Sequence, residues 1–187
     1  MKQKLTTKKI VLVALMAALT VVGSSLRIKV PAGIVGTSAF HLGNILCALS
    51  GILLGPWLGG LAAGLGSALY DIVIDPSYIS ECWLTFLMKG AYGLVVGFAF
   101  SIGKKEWNYI KATLASAAGA VTYAVLYLAK SYFKAILVQG VAASGAWVAV
   151  VDKLPATIFN AAVAVIFAPV LAAAIQTALK RNHLSLE

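Results

Sequence analysis

Lys89 is the residue whose type and position most invite chemistry. It stands about eight residues into an apolar run that begins near Glu81, which is roughly 12 Å along a helix at 1.5 Å per residue. A charged side chain at that depth is costly and marks a functional position. Snorkelling to the surface from there is hard, so the ammonium needs an anion, carbonyl groups or water. The candidate anions are Asp71, Glu81 and a bound ligand. A Lys89–Asp71 pair joining two helices and a ligand contact are both open, and the two are compatible.

Other polar and aromatic residues recur at the level where Lys89 begins its helix. His41 and Asn44 lie three apart and share a helical face. Tyr70 and Asp71 end one apolar run, and Tyr78, Glu81 and Trp83 surround the start of the next. Tyr123 and Tyr127 share a face four apart. Trp147 and Asp152 fall in a late loop, and Asn160 in the last apolar run. Aromatic residues also form belts at membrane interfaces, and a lone histidine at a helix start usually finds a backbone partner. The asymmetry goes beyond that: one end of the chain's apolar runs gathers polar groups, the other almost only basic flanks. Aromatic walls with a few convergent polar groups are the make-up of a small-molecule pocket. The ligand-binding set expected from this clustering is His41, Asn44, Asp71, Tyr78, Glu81, Trp83, Lys89, Trp147 and Asn160.

The elements that must position these residues are membrane helices. Of 187 residues, 61% are hydrophobic and 11% charged, and the mean hydropathy is +0.93. Soluble domains carry about 25% charge, so this chain cannot cover a water-exposed globule, and a soluble enzyme is excluded. The patterning predicts an all-α fold, a single integral membrane domain of six helices at about 9–26, 40–54, 57–73, 81–102, 107–129 and 155–179. Gly55 and Pro56 make the tight turn between the second and third. Lys130 to Lys153 forms a long loop, and Pro155 starts the sixth helix. The basic N-terminus and the apolar run after it outline a signal peptide, but the run is too long, and it reads as a retained first helix.

Lysine and arginine bias sets the orientation. With a cytoplasmic N-terminus, Lys2, Lys4, Lys8, Lys9, Lys104, Lys105, Lys111, Lys180 and Arg181 fall inside. Arg27, Lys29, Lys130, Lys134 and Lys153 fall outside, together with Asp71, Asp75, Glu81 and Asp152. Both termini are therefore expected in the cytoplasm. The net charge of +9 is a topology signal with attraction to anionic membrane lipid, and no pattern argues for nucleic acid. Cys47 and Cys82 read as buried free thiols, with no zinc spacing and no metal site. No Walker A motif, nucleophile elbow, HExxH or CxxC occurs, so neither an enzyme nor a cofactor is expected. Small residues at four-residue spacing, Gly60 with Gly64, Ala63 with Ser67, and Ala14 with Ala18, allow close helix approach. Ala14 and Ala18 also allow a groove for a partner protein. Few helices and no internal inverted repeat mean that a solute carrier of this size needs such a partner.

In order along the chain stand Thr7-Lys8-Lys9, Ala14-Leu15-Met16-Ala17-Ala18-Leu19, Phe40-His41-Leu42-Gly43-Asn44, Leu54-Gly55-Pro56-Trp57-Leu58-Gly59-Gly60, Gly64-Leu65-Gly66-Ser67-Ala68-Leu69-Tyr70-Asp71 and Met88-Lys89-Gly90-Ala91-Tyr92-Gly93. This series resembles the substrate-binding S components of energy-coupling factor (ECF) transporters, the vitamin uptake systems of bacteria. It covers the first four helices by motif, and the last two by hydropathy and length. The resemblance implies a multi-pass protein of the bacterial cell membrane that binds a vitamin with high affinity and has no activity of its own. It implies a scaffold membrane subunit and two cytoplasmic ATPases as partners, with Ala14 and Ala18 as the docking face for the scaffold. It also implies a lid over the pocket in the loop from Arg27 to Ala39, moved at Gly33 and Gly36. Riboflavin, pyridoxine or hydroxymethylpyrimidine, and cobalamin are the vitamins it brings into range. The other function class is a non-transporting membrane interaction or assembly protein. That class requires a tightly packed outer half with Lys89 fully paired inside the bundle.

Overall fold

A computed structural model describes residues 6–31, 37–103 and 107–182. Helix α1 (Thr7–Ser25) starts at Thr6, whose hydroxyl accepts from the Lys9 amide at 3.4 Å. Then come two antiparallel strands, β1 (Arg27–Pro31) and β2 (Thr37–His41), with Arg27 opposite His41 and Pro31 opposite Thr37. After them follow α2 (Gly43–Leu69), a π-helical turn (Tyr70–Ile74), a 3₁₀ turn (Pro76–Glu81), α3 (Cys82–Ser101), α4 (Tyr109–Leu137) and α5 (Ala143–Arg181). Among the described residues, five helical segments are long and apolar enough to cross a membrane.

Helix α2 is two arms folded back on each other. At Gly55 the backbone leaves the helical region, with φ at 75° and ψ at −175°, a conformation open to glycine at no steric cost. Pro56 then restarts the helix. The reversal brings Cys47 Sγ to 3.7 Å from Ser67 Oγ, whereas twenty residues of straight helix would separate them by about 30 Å. Both cysteines are free.

Small side chains set the packing. Lipid offers no hydrophobic drive between helices, so close backbone approach must supply dispersion contacts. A Cβ on Gly60 would come 2.9 Å from Gly90 O, and one on Gly64 2.8 Å from Phe86 O, so the GxxxG face of α2 seats α3. Ala48, Ala62, Ala63, Ala112, Ala115, Ala164 and Ala168 join Tyr92 and Val96 in the main core. Val13, Met16, Ala17 and Thr20 turn inward on α1, while Ala14 and Ala18 lie on its exposed face.

Two expectations need correction. The fold is not purely helical, because the segment after α1 pairs as a hairpin and carries Phe40 and His41 into β2, so the helix begins at Gly43. Arg27-Ile28-Lys29-Val30 alternates polar with β-branched residues, the period of a strand. Gly33 and Gly36, expected as lid hinges, lie outside the described residues. Secondly, the long loop from Lys130 to Lys153 is mostly helix. Helix α4 runs on to Leu137 and α5 starts at Ala143, leaving Pro155 inside it. The lysines do not end the helices, because Lys130 and Lys134 both pair with Glu81. Pro155 removes one backbone donor, a loss that membrane helices tolerate.

Candidate functional site

The hairpin closes over one end of the bundle and is tied down from three sides. Asn160, on α5, donates from Nδ2 to Ala39 O at 2.8 Å and accepts the His41 amide on Oδ1 at 2.9 Å. Its amide thus acts as one more rung of the ladder on β2. Phe40 packs edge-on against Phe159 at 5.0 Å. On the second side, Asp75 takes Lys29 at 2.6 Å and Arg27 at 3.7 Å. On the third, Thr37 and the Tyr78 hydroxyl share a hydrogen bond at 2.9 Å. Asn160→Leu removes both bonds to β2 and leaves two strand groups unpaired, at a cost of about 2 kcal/mol. The expected result is a lower Tm in detergent with faster amide exchange at His41. Unchanged exchange there would remove Asn160 from this role.

The charges on the hairpin predict its pH response. Burial raises the Asp75 carboxyl, but hydrogen bonds from Lys29 and Ser77 and the charges of Lys29 and Arg27 outweigh it and hold the group below its usual range. The Lys29 amine is pushed up, foremost by its hydrogen bond to Asp75. A depressed carboxyl contributes stability that is present above its unfolded value of 3.8 and lost as pH falls through the lower folded value. The raised lysine contributes below 10.5 and loses that contribution as pH rises through its folded value. Melting curves therefore contain an acid step below about pH 4 that Asp75→Asn abolishes. The step stays below about 1 kcal/mol, since Lys29 is half exposed and water screens the pair. His41 stands at the same mouth. Burial, with the charges of Lys89 and Arg27, holds its imidazole well below the usual range, and Nδ1 accepts from the Gly43 amide at 3.2 Å.

Beneath the hairpin lies a cavity of about 110 Å³, part of it open to the outside. Six of the nine expected site residues line it: His41, Asn44, Asp71, Tyr78, Lys89 and Asn160. Lys89 is 4% exposed. Its ammonium donates to Asn44 Oδ1 and lies 3.8 Å from the centre of the Tyr123 ring. Among the described residues no carboxylate comes within ion-pair distance of it, so of the two open alternatives the Lys89–Asp71 pair does not form. Asp71 is also buried, and its Oδ2 has no hydrogen-bond partner.

Glu81, Trp83 and Trp147 stand elsewhere. Glu81 is taken by Lys130 and Lys134 outside the cavity wall. Trp83 is 59% exposed on the outer side of α3, and Trp147 is 61% exposed against Tyr132. None of the three lines the cavity. Sequence position placed all three at the right level, but only packing shows which way a helix face turns. Arg27, Ser38, Ser67, Tyr70, Thr85, Tyr123, Tyr127, Lys130 and Thr157 are also on the wall. Tyr123 and Tyr127 were visible as a helical pair, and they stack at 5.8 Å with an interplanar angle of 21°. The hydroxyl residues carried no signal that separates them from ordinary polar spacers in a membrane helix.

Two comparisons bear on this arrangement. The family described as "ECF-type riboflavin transporter, S component" matches residues 4–177. A protein of Pyrococcus woesei described as "Uncharacterized protein in gap 3'region" is 34% identical over 115 residues, which cover 62% of this chain and 72% of that protein. The family is one of transporter components rather than of enzymes. Apolar helices, a walled pocket at one end and a match over nearly the whole length converge on one assignment: the chain is a multi-pass membrane protein that belongs to the ECF-type riboflavin transporter S component family.

Proposed function

We propose that this chain is the high-affinity vitamin-binding subunit of an ECF-type importer. Six crossings, counting the two arms of α2 separately, put both termini in the cytoplasm and the hairpin outside. The vitamin enters beneath the hairpin, and Asn44, Asp71, Lys89 and Asn160 orient it against Tyr78, Tyr123 and Tyr127. The loaded subunit then docks on a scaffold membrane subunit through Ala14 and Ala18, and two cytoplasmic ATPases supply the energy. The exposure of both alanines on α1 supports the docking step.

The single observation that carries the reading is the walled polar pocket with a buried lysine that pairs with no carboxylate among the described residues. An assembly factor without a solute would have its outer half packed and Lys89 paired within the bundle. Riboflavin is the first vitamin to test, because the family is described by it. Native mass spectrometry of the chain, purified in mild detergent from cells grown in rich medium, is the test. The expected result is a bound flavin that names the ligand directly. An apo mass that stays apo after riboflavin, pyridoxine, hydroxymethylpyrimidine and cobalamin are added overturns the reading.

A further inference from the structure

The charge of the ligand can also be read from the site, provided the vitamin-binding reading holds. Arg27, Lys89 and Lys130 stand on the pocket wall against one carboxylate, Asp71. The neighbouring acids do not restore the balance. Asp75 is shared between Arg27 and Lys29, and Glu81 between Lys130 and Lys134. Lys153, 7% exposed behind Tyr127, adds a further cation whose partners are the Ser131 hydroxyl at 3.3 Å and the Tyr127 ring at 5.5 Å.

A buried ammonium whose contacts among the described residues are a neutral amide and a ring face still lacks most of what water gave it. An arriving anion supplies it. We propose that the pocket takes its ligand as an organic anion, a phosphate monoester or a carboxylate, with the acidic group on Lys89 and a ligand N–H or O–H on the free oxygen of Asp71. Lys89 is the anchor because Arg27 and Lys130 already share carboxylates and it does not. Asp71 gives the site its polarity. Its unpartnered oxygen repels a second anion, which keeps the acidic group at the Lys89 side, and it accepts a proton donor from the ring system.

Riboflavin and riboflavin 5′-phosphate share one ring and differ in charge, so they isolate the effect. Affinities of the purified full chain in detergent are read by quenching of flavin fluorescence, with pyridoxine and pyridoxine 5′-phosphate as a second pair read by calorimetry. The expected result is that the phosphate ester of the bound pair wins by about ten-fold or more, as for a charge-assisted contact. The preference vanishes in folded Lys89→Met and survives in Lys89→Arg. A neutral form that binds as tightly as its ester in the unsubstituted chain overturns the proposal and leaves the vitamin-binding reading standing. Failure of every form to bind overturns both. A preference that persists in folded Lys89→Met overturns the placement of the acidic group. Should Lys89→Met fail to fold, the ratio in the unsubstituted chain still decides the charge.

Discussion

Lys89→Met lowers vitamin affinity and raises the stability of the empty protein at the same time. The affinity term comes from losing a buried charged donor, worth about 2 kcal/mol or roughly 30-fold in Kd. The stability term has the opposite sign. Lys89 is 4% exposed, and among the described residues no carboxylate pairs with it. Exchanging such a charge for an apolar side chain of similar volume removes a desolvation penalty and stabilises by about 1 kcal/mol or more. Asn44 Oδ1 loses its donor, but it lines a pocket open to the outside and water can replace the ammonium. Ligand titration and thermal melting on one preparation check both signs. A folded Lys89→Met chain with unchanged affinity would remove the polar cluster as the binding site. A fall in Tm would show that the ammonium is held by more than Asn44 and Tyr123.

The second large effect lies in the hairpin of helices around Gly55. Gly59→Ala places a methyl group 2.5 Å from Ser50 O, 2.6 Å from Gly51 Cα and 2.8 Å from Gly51 N. All three atoms are backbone, so no side-chain rotation relieves the clash and the two arms of α2 must part. Overpacking of this kind costs about 3 kcal/mol, and the variant should melt early or accumulate as aggregate. Gly90→Ala is the matched control. Its Cβ meets only Gly60 O at 3.5 Å, an ordinary contact, so alanine's better helix propensity acts alone and stabilises by about 0.5 kcal/mol. Melting temperatures in one detergent should therefore move in opposite directions. Equal small shifts would mean that the arms are not in contact as described.

Much of this was legible in the sequence. Hydropathy identified membrane helices, because without water every backbone group must pair within its own segment, and long apolar runs allow little else. The Gly55-Pro56 turn and the small-residue face of α2 were equally visible, since both depend on the local absence of a side chain or a donor. Lys89 stood out because an ionisable group in an apolar run is expensive wherever the run packs. Other features depended on partners distant in the chain. The loop expected from Lys130 to Lys153 failed because Glu81, some fifty residues earlier, neutralises Lys130 and Lys134 and lets α4 continue to Leu137. Strand β2 holds Phe40 and His41 out of the helix because Asn160, more than a hundred residues later, supplies the bonds that keep it extended.

What the sequence by itself determined is the class of protein: a membrane helical chain, small-residue packing, a costly lysine and polar groups gathered at one end. Tertiary structure alone decided which of those groups share a cavity. Asp71 and Lys89 face the same space without pairing, while Glu81, Trp83 and Trp147 lie at the same level but turn away. The physical reason is that hydropathy measures a residue's depth along the membrane, a one-dimensional quantity. A binding site also depends on the rotation of each helix about its axis, and packing against the neighbours sets that angle.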